Sequence, residues 1–121
     1  MTTQEVADRL AELCGQGQFD KAFEELYSDD IISKEPDGFP DALVQGKEAV
    51  GLKQKQFNES VEAFHGVVVS KPIVAENFFS VSMKMDVTFK GAPRMDMEEI
   101  AVYNVKDGKI VREDFFFTPQ M

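Results

Sequence analysis

Apolar side chains recur every three or four positions in three segments of this chain, a spacing typical of amphipathic helices. The first segment, residues 3–14, begins with a Thr2-x-x-Glu5 pattern that predicts a capping box, and Gly15 ends it. Its apolar stripe is Val6, Leu10, Leu13 and Cys14. The second predicted helix is short and has one apolar face, made of Phe19, Ala22, Phe23, Leu26 and Tyr27. The third begins after Gly46, extends for about 15 residues, and carries Val50, Phe57, Val61 and Phe64.

The apolar period then changes to two, which is typical of strands with one buried face. The clearest alternation is Val81, Met83, Met85, Val87 and Phe89. Residues 67–69 are β-branched and predict a strand that Pro72 confines to an edge of the sheet. A long strand over residues 95–105 reaches an Asp107-Gly108 turn, and residues 110–117 return beside it as a hairpin. A short strand is also expected at residues 31–35, followed by a loop up to Gly46.

This order of elements predicts an α+β fold whose helices cover one face of an antiparallel sheet. A chain of 121 residues is the length of one domain, so we expect a single domain over residues 1–121. At this size a chain can bury roughly two-thirds of its unfolded surface, which makes a core possible without disulfides or metal.

The charge balance narrows the choice of partners. The chain has 13 basic and 22 acidic residues, a net charge of −9 and a pI near 4.5. Nucleic acids and anionic membranes attract clustered Lys and Arg, so neither is expected as a partner. The sequence has no apolar run of the ~20 residues that span a bilayer and no pattern of a secretory signal. Together with a single cysteine, these features favour a cytoplasmic protein.

Three segments in this order resemble a known superfamily: residues 26–30 (LYSDD), 45–50 (QGKEAV) and 105–113 (VKDGKIVRE). The chain is similar to nuclear transport factor 2-like proteins, and more narrowly to their SnoaL-like and ketosteroid isomerase-like branch, from about Val6 to Thr118. The resemblance implies a cone-shaped fold of the cystatin-like kind. In it a curved, mostly antiparallel sheet wraps around three N-terminal helices and encloses a pocket. Since one fold hosts many chemistries, the activity has to be argued from the site.

The resemblance also implies a proton-shuttling carboxylate just before a proline on the first strand, a place that Glu35 occupies before Pro36. A carboxylate at the mouth of an apolar cavity is poorly solvated, which raises its pKa and suits a general base. The alternative is that Glu35 is an exposed carboxylate at the end of a strand. The branch's oxyanion hole, a tyrosine and a protonated acid, would fall on Leu10 and Ile100, neither of which has a donor. Steroid isomerase activity is therefore not expected.

The predicted hairpin suggests other polar groups for the pocket. If residues 107–108 form a two-residue turn, Val105 pairs with Ile110, and alternate residues share one face. We expect that face to line the pocket, with Tyr27 at its rim. It comprises Ile100, Val102, Asn104, Val111, Glu113, Phe115 and Phe117. A few polar groups in an apolar wall suit a small-molecule site. A bulge would shift this parity by one residue, and Glu113 would be hydrated if it lay near an open end.

His65 is the only histidine, and it follows the third predicted helix. It could face the cavity and act as an acid or donor beside Glu35 or Glu113. Alternatively, it forms only local hydrogen bonds. One His and one Cys do not supply a common structural zinc set, and we expect neither a metal nor a cofactor.

Two classes of function remain open. In the first, the protein is a cofactor-independent enzyme: Glu35 moves a proton alpha to a carbonyl of a small lipophilic ligand, and Glu113 or His65 steadies the enolate. In the second, it is a non-catalytic ligand-binding or protein-interaction module that forms a homodimer through the uncovered sheet face, made partly apolar by Ala101, Tyr103 and Phe116.

Overall fold

The computed structural model describes residues 1–39 and 42–118 and contains three helices on one side of a sheet. Helix α1 spans Thr3–Gly15, α2 spans Phe19–Leu26 and α3 spans Lys47–Ser60. The capping box predicted for α1 is confirmed, because Thr2 and Glu5 bond each other's backbone reciprocally. The apolar stripe of α1 is buried throughout, as its spacing predicted.

The strands are β1 (Tyr27–Lys34), β2 (Leu43–Gln45), β3 (Val61–Val69), β4 (Ile73–Ala75), β5 (Phe78–Phe89), β6 (Arg94–Lys106) and β7 (Lys109–Phe116). They form one sheet in the order β2-β1-β7-β6-β5-β3, and β4 also pairs with β5. Strands β1 and β7 run parallel, and the other pairs are antiparallel. The predicted edge position of the strand before Pro72 is confirmed, since β3 ends the order.

The sheet is curved and does not close. Register shifts interrupt the pairing of β1 with β7, of β3 with β5 and of β6 with β7. Each such bulge bends the strand and increases its twist. The β6–β7 turn places Asp107 and Gly108 at φ 53° and 75°, the left-handed conformation that a two-residue hairpin requires. The α+β prediction of a curved, mostly antiparallel sheet around three helices is thereby confirmed.

The core lies between α1 and the concave face of the sheet. Leu10 and Leu13 of α1, Ile31 of β1 and Ile110 of β7 are almost completely buried there. The opposite, convex face leaves several large apolar side chains exposed, including Phe78, Ile100 and Phe116. The helices therefore cover only one face of the sheet, as their segregation in the sequence predicted.

Some boundaries differ from the predictions, and two short strands were not predicted. Helix α3 ends at Ser60, so Val61 and Phe64 belong to β3 rather than to the third helix. Tyr27 opens β1 instead of closing α2. The short strands β2 and β4 were not predicted, because three residues are too few to show a period.

Candidate functional site

A cavity of about 210 Å³ lies between the helices and the concave face of the sheet. Most of its wall is apolar and comes from all three helices and from β5 and β7. These side chains are Cys14, Phe19, Ala22, Phe23, Val50, Phe57, Met83, Met85 and Phe115. Its polar lining comes chiefly from β1, α3, β6 and β7. That group consists of Tyr27, Ser33, Glu35, Lys53, Gln54, Asn58, Tyr103 and Glu113.

Glu113 of β7 is the most deeply buried carboxyl group of this lining, with 4% of the residue exposed. The Tyr27 hydroxyl donates a hydrogen bond to Glu113 Oε1, and the Ser33 hydroxyl on the adjacent strand is a second partner. Burial raises the pKa of Glu113 from 4.5 to about 7, and these hydroxyls and Lys53 counteract part of that rise. Near neutral pH this carboxyl is therefore present in both protonation states.

Glu35 follows the last residue of β1, and its side chain is 21% exposed. Its backbone N–H donates to the Ala42 carbonyl at 2.7 Å, which ties this residue to the segment that leads into β2. Lys53 of α3 places Nζ 2.8 Å from Glu35 Oε1 and 3.5 Å from Ser33 Oγ. Glu35 thus lines the cavity as one half of an ion pair, partly buried at the end of β1.

Glu99 of β6 is a third carboxyl group close enough to interact with Glu35 and Glu113, although it lines a separate surface groove rather than the cavity; sequence reasoning missed it. Burial raises the pKa of Glu99 from 4.5 to about 7; Glu35 and Glu113 raise it further, and Lys53 opposes them. The missed signal is the alternation along β6, where buried Val105, Tyr103 and Ala101 lead to Glu99 on the same face. The resemblance, counted back from the turn at Gly108, pointed instead to Ile100, which follows Glu99 in the sequence.

The predicted face of β6 is wrong. Val105 pairs with Ile110 as expected, but a bulge leaves Val111 without a partner, and Asn104 pairs with Arg112. Consequently Tyr103 lies opposite Glu113 and Ala101 opposite Phe115. The three residues predicted to share the face of Glu113 lie on the convex face instead and do not line the cavity; they are Ile100, Val102 and Asn104.

The remaining predicted residues divide into two groups. Tyr27 and Phe115 line the cavity. His65 is exposed on β3, its Nε2 lies 2.9 Å from Thr88 Oγ1, and it does not line the cavity, which agrees with the local alternative. Phe117 packs against Phe39, with ring centroids 5.3 Å apart, in a surface groove next to Glu99. The structure therefore joins Glu35 and Glu113 but not His65.

Two tyrosines and a cysteine complete the titratable lining. Burial raises the pKa values of Tyr27 and Tyr103 well above the usual 10, so both hydroxyls stay protonated and available as donors. Burial also raises the pKa of Cys14 to about 12, with Glu113 and Glu99 as further causes. That thiol is accordingly a poor nucleophile.

Neither a metal site nor a membrane span is found in the part of the chain that the structure describes. Within residues 1–39 and 42–118, no three Asp, Glu, His or Cys side chains are arranged to hold a metal ion. Over the same ranges, no helix combines the length and the apolar character needed to cross a bilayer.

Comparison with known proteins identifies the family. The family model for the SnoaL-like domain matches residues 1–117. The chain belongs to the SnoaL-like domain family. A crystal structure of a candidate SnoaL-like polyketide cyclase from Mesorhizobium loti, also named a carbohydrate phosphatase, is similar throughout. It is 39% identical over 97% of this chain and 100% of that chain, with a TM-score of 0.91.

More distant structures agree on the fold of this SnoaL-like protein. A Xanthomonas campestris protein of unknown function with a cystatin-like fold has a TM-score of 0.82 at 16% identity, over 99% of this chain and 93% of that one. An NTF2-like protein of unknown function from Burkholderia pseudomallei has a TM-score of 0.79 at 14% identity, over 98% and 92%. No curated protein sequence matches the chain. The family includes cyclases and isomerases, and its members bind small ligands.

Proposed function

We propose that this SnoaL-like protein is a cofactor-independent isomerase, cyclase or lyase that moves a proton alpha to a carbonyl of a small lipophilic ligand. Glu35 takes the proton from the α-carbon as its carboxylate. Protonated Glu113 donates a hydrogen bond to the carbonyl oxygen, on which negative charge grows as the enolate forms. Glu35 then gives up the proton, to another carbon in an isomerase, to the new alkoxide oxygen in an aldol-type cyclase or to the leaving group in a lyase, so the protein ends in its starting state.

The observation that carries this proposal is the presence of two carboxyl groups with different surroundings in one apolar cavity. Glu35 has its charge balanced by Lys53 at 2.8 Å. Glu113 is surrounded by protein, has no cation at hydrogen-bond distance among the described residues, and has a pKa of about 7. When two titratable groups lie in environments that favour different protonation states, one is suited to act as the acid and the other as the base.

The hydroxyl groups around Glu113 support the donor role. The Tyr27 hydroxyl donates to Glu113 Oε1, which leaves the second oxygen of a protonated Glu113 to carry the proton. Tyr103, directly opposite Glu113 in the sheet, offers a further hydroxyl in the lining. Donors held in place in a poorly hydrated cavity stabilise a developing oxyanion more than donors in water do.

The test follows the exchange of α-protons with solvent deuterium by proton NMR, with acetophenone and 2-cyclohexenone as probes. Glu35→Gln keeps the shape of the side chain but cannot accept the proton, so we expect exchange to fall by about 100-fold or more. Asp37→Asn is the matched control, since Asp37 is an exposed carboxylate two residues away that pairs with Lys34 outside the cavity.

Full exchange in the Glu35→Gln variant would contradict the assignment of the base. A wild-type protein that binds either probe but does not exchange its protons would contradict catalysis on this class of ligand and favour a binding module.

A second candidate function has support from the convex face. Phe78, Ile100 and Phe116 are each about half exposed there. Phe78 and Phe116 also line a surface depression together with Val102. Ala101 and Tyr103 were predicted to lie on this uncovered face, but they lie on the concave face instead. An apolar surface on one side of an antiparallel sheet fits a homodimer in which two copies pair face to face. The mass in solution tests it: a monomer at micromolar concentration would contradict this candidate.

A further inference from the structure

The size of the cavity limits what the site can hold. Pockets for drug-sized ligands have volumes of about 300–1,000 Å³, whereas this one has about 210 Å³. An apolar protein cavity of about 150 Å³ holds one benzene molecule, which corresponds to about 25 Å³ of cavity for each non-hydrogen atom. At that ratio the cavity takes about eight or nine non-hydrogen atoms, which is one six-membered ring with a short substituent.

Several aromatic rings in the walls of the cavity pack against further groups behind them. Phe19 packs edge-on against Phe64 with centroids 6.0 Å apart. Phe57 packs in the same way against Phe89 at 5.7 Å. The ring of Phe23 lies 3.3 Å from the point where a Cβ on Gly51 would be, so α3 lies directly behind it. Shifting any of these rings would disturb a second packed group. Phe57 and Phe64 are 37% and 44% exposed, so this packing is looser than that of a protein interior.

Tyr103 is held in the same manner on the side of the sheet. Its ring stacks on Phe79 with centroids 4.7 Å apart and planes inclined by 19°, and both residues are buried. This part of the wall is therefore more deeply buried than Phe57 and Phe64 are.

The charges around the cavity select against anions. Two carboxyl groups, Glu35 and Glu113, line the cavity with the single ammonium group of Lys53, which already pairs with Glu35. A third carboxyl group, Glu99, lies outside the lining but interacts electrostatically with all three. A carboxylate or phosphate on the ligand would meet like charges in a poorly hydrated space without a free cation among these four groups. An uncharged ligand avoids that cost and can accept a hydrogen bond from the protonated form of a carboxyl group.

From this volume, the supported walls and the excess of acids, we propose that the ligand is an uncharged compound with one six-membered ring and one short carbonyl-bearing substituent. Polycyclic ketones and aromatic carboxylates are excluded. The proposal deepens the proposed function and rests on it for the carbonyl group. The size and charge limits concern binding alone.

The experiment measures dissociation constants of the full chain at pH 7 by isothermal titration calorimetry for ketones with one, two and three fused rings. These are acetophenone, 2-acetonaphthone and 9-acetylphenanthrene. We expect acetophenone to bind at least about tenfold more tightly than 2-acetonaphthone, with no measurable binding of 9-acetylphenanthrene. Equal or tighter binding of the larger ketones would overturn the size limit.

Benzoate tests the charge limit, because it has the same number of non-hydrogen atoms as acetophenone but carries a negative charge. We expect its affinity to be at least about tenfold lower. Binding of benzoate as tight as that of acetophenone would overturn the exclusion of anions.

A variant with a wider cavity checks that the walls set the limit. Phe57→Ala removes a wall ring from α3, and we expect 2-acetonaphthone to bind within about threefold of acetophenone in this variant. Leu52→Ala is the matched control, since Leu52 is an exposed residue of the same helix that does not line the cavity. An unchanged preference in Phe57→Ala, or an equal change in Leu52→Ala, would overturn the assignment of the wall.

Repeating the series with Glu35→Gln separates the two proposals. The same order of affinities in that variant supports the size limit whether or not the wild-type protein exchanges α-protons. If the variant still binds the ketones but no longer with this order of affinities, the size limit would be overturned.

Discussion

The two faces of the same sheet each depart from the usual distribution of residues. On β6, Glu99 and Tyr103 point toward the helices, and Ile100 and Val102 between them lie on the uncovered face. In most proteins acids are exposed and large aliphatic side chains are buried. Here the concave face buries the carboxyl group of Glu113 beside an apolar core, and the convex face leaves large apolar side chains in water.

Each departure costs stability, and the two costs differ in kind. Burying a carboxyl group loses its hydration, which the structure recovers in part through hydroxyl partners and through pKa values near 7. Exposing Phe78 and Phe116 forgoes the free energy of burying them. The concave face therefore has the character of a site for a small molecule, and the convex face that of a surface for a protein. The following predictions test that contrast.

The largest expected effect is on the pH dependence of proton exchange. Protonated Glu113 is the proposed donor, and its pKa is about 7. Exchange by the wild-type protein should therefore fall as pH rises above 7, by up to about 100-fold at high pH. The amide that Glu113→Gln introduces would donate at every pH, so this substitution should remove the decline, and a profile measured by NMR checks it.

A decline that persists unchanged in Glu113→Gln would assign the donor to another group, with Glu99 as the first candidate. Glu62→Gln is a suitable control, because Glu62 is an exposed carboxylate of β3 outside the cavity lining.

The second effect concerns stability. The pKa values of Glu99 and Glu113 rise from 4.5 in the unfolded chain to about 7 in the folded one, so the folded state binds more protons between these values. The free energy of unfolding should therefore fall as pH rises from 4.5 to about 7. Arg94 and Arg9 lower the pKa values of Asp86 and Glu25, so these two groups change the stability only at a more acidic pH than Glu99 and Glu113 do.

Urea denaturation at several pH values measures this slope. Since one pKa unit corresponds to 1.36 kcal/mol, we expect a loss of about 1–3 kcal/mol for each group. Glu113→Gln should flatten the slope. A wild-type stability that rises over this range would contradict the burial of these acids.

The third effect concerns the convex face. If Phe116 lies in a homodimer interface, Phe116→Ser should weaken dimerisation by about tenfold or more, measured by analytical ultracentrifugation. Leu52→Ser is the control, because Leu52 is an exposed apolar residue of helix α3, on the other side of the sheet. An equal effect of both substitutions would point to general destabilisation instead.

The smallest effect comes from Lys53, which lowers the pKa values of both Glu99 and Glu113. Lys53→Met should raise these pKa values by up to about one unit, which carbon NMR of the glutamate carboxyl groups can follow. Lys55→Met, an exposed position on the same helix, should leave both values unchanged. If the pKa values of Glu99 and Glu113 are unchanged in Lys53→Met, the charge of Lys53 does not affect these two carboxyl groups.

The sequence was informative where a period extended over several residues and misleading where one residue interrupted it. The stripe of α1 and the alternation of β5 predicted the buried positions correctly. The turn at Gly108 was also predicted correctly, but the bulge at Val111 has no sequence signature. That one additional residue places Glu113 and Phe115 on the face of Tyr103 and Ala101 instead of on the face of Asn104.

The site itself was only partly predictable from the sequence. The resemblance placed Glu35 before Pro36, and the structure puts it in the cavity lining. Lys53 is typical of a solvated helix face when only the sequence is considered, because nothing along the chain shows that this face meets the end of β1. Contacts between distant segments, such as Lys53 with Glu35 or Tyr27 with Glu113, depend on the curvature of the sheet.

Cys14 offers a way to observe the interior directly. It is the single cysteine of the chain and forms part of the cavity lining, and its raised pKa keeps it as an S–H group. The S–H stretch absorbs infrared light in a spectral window where other protein groups are nearly transparent, and its frequency follows the local environment. Occupancy of the cavity would thus be recorded as a band shift, by a vibrational reporter that needs no label.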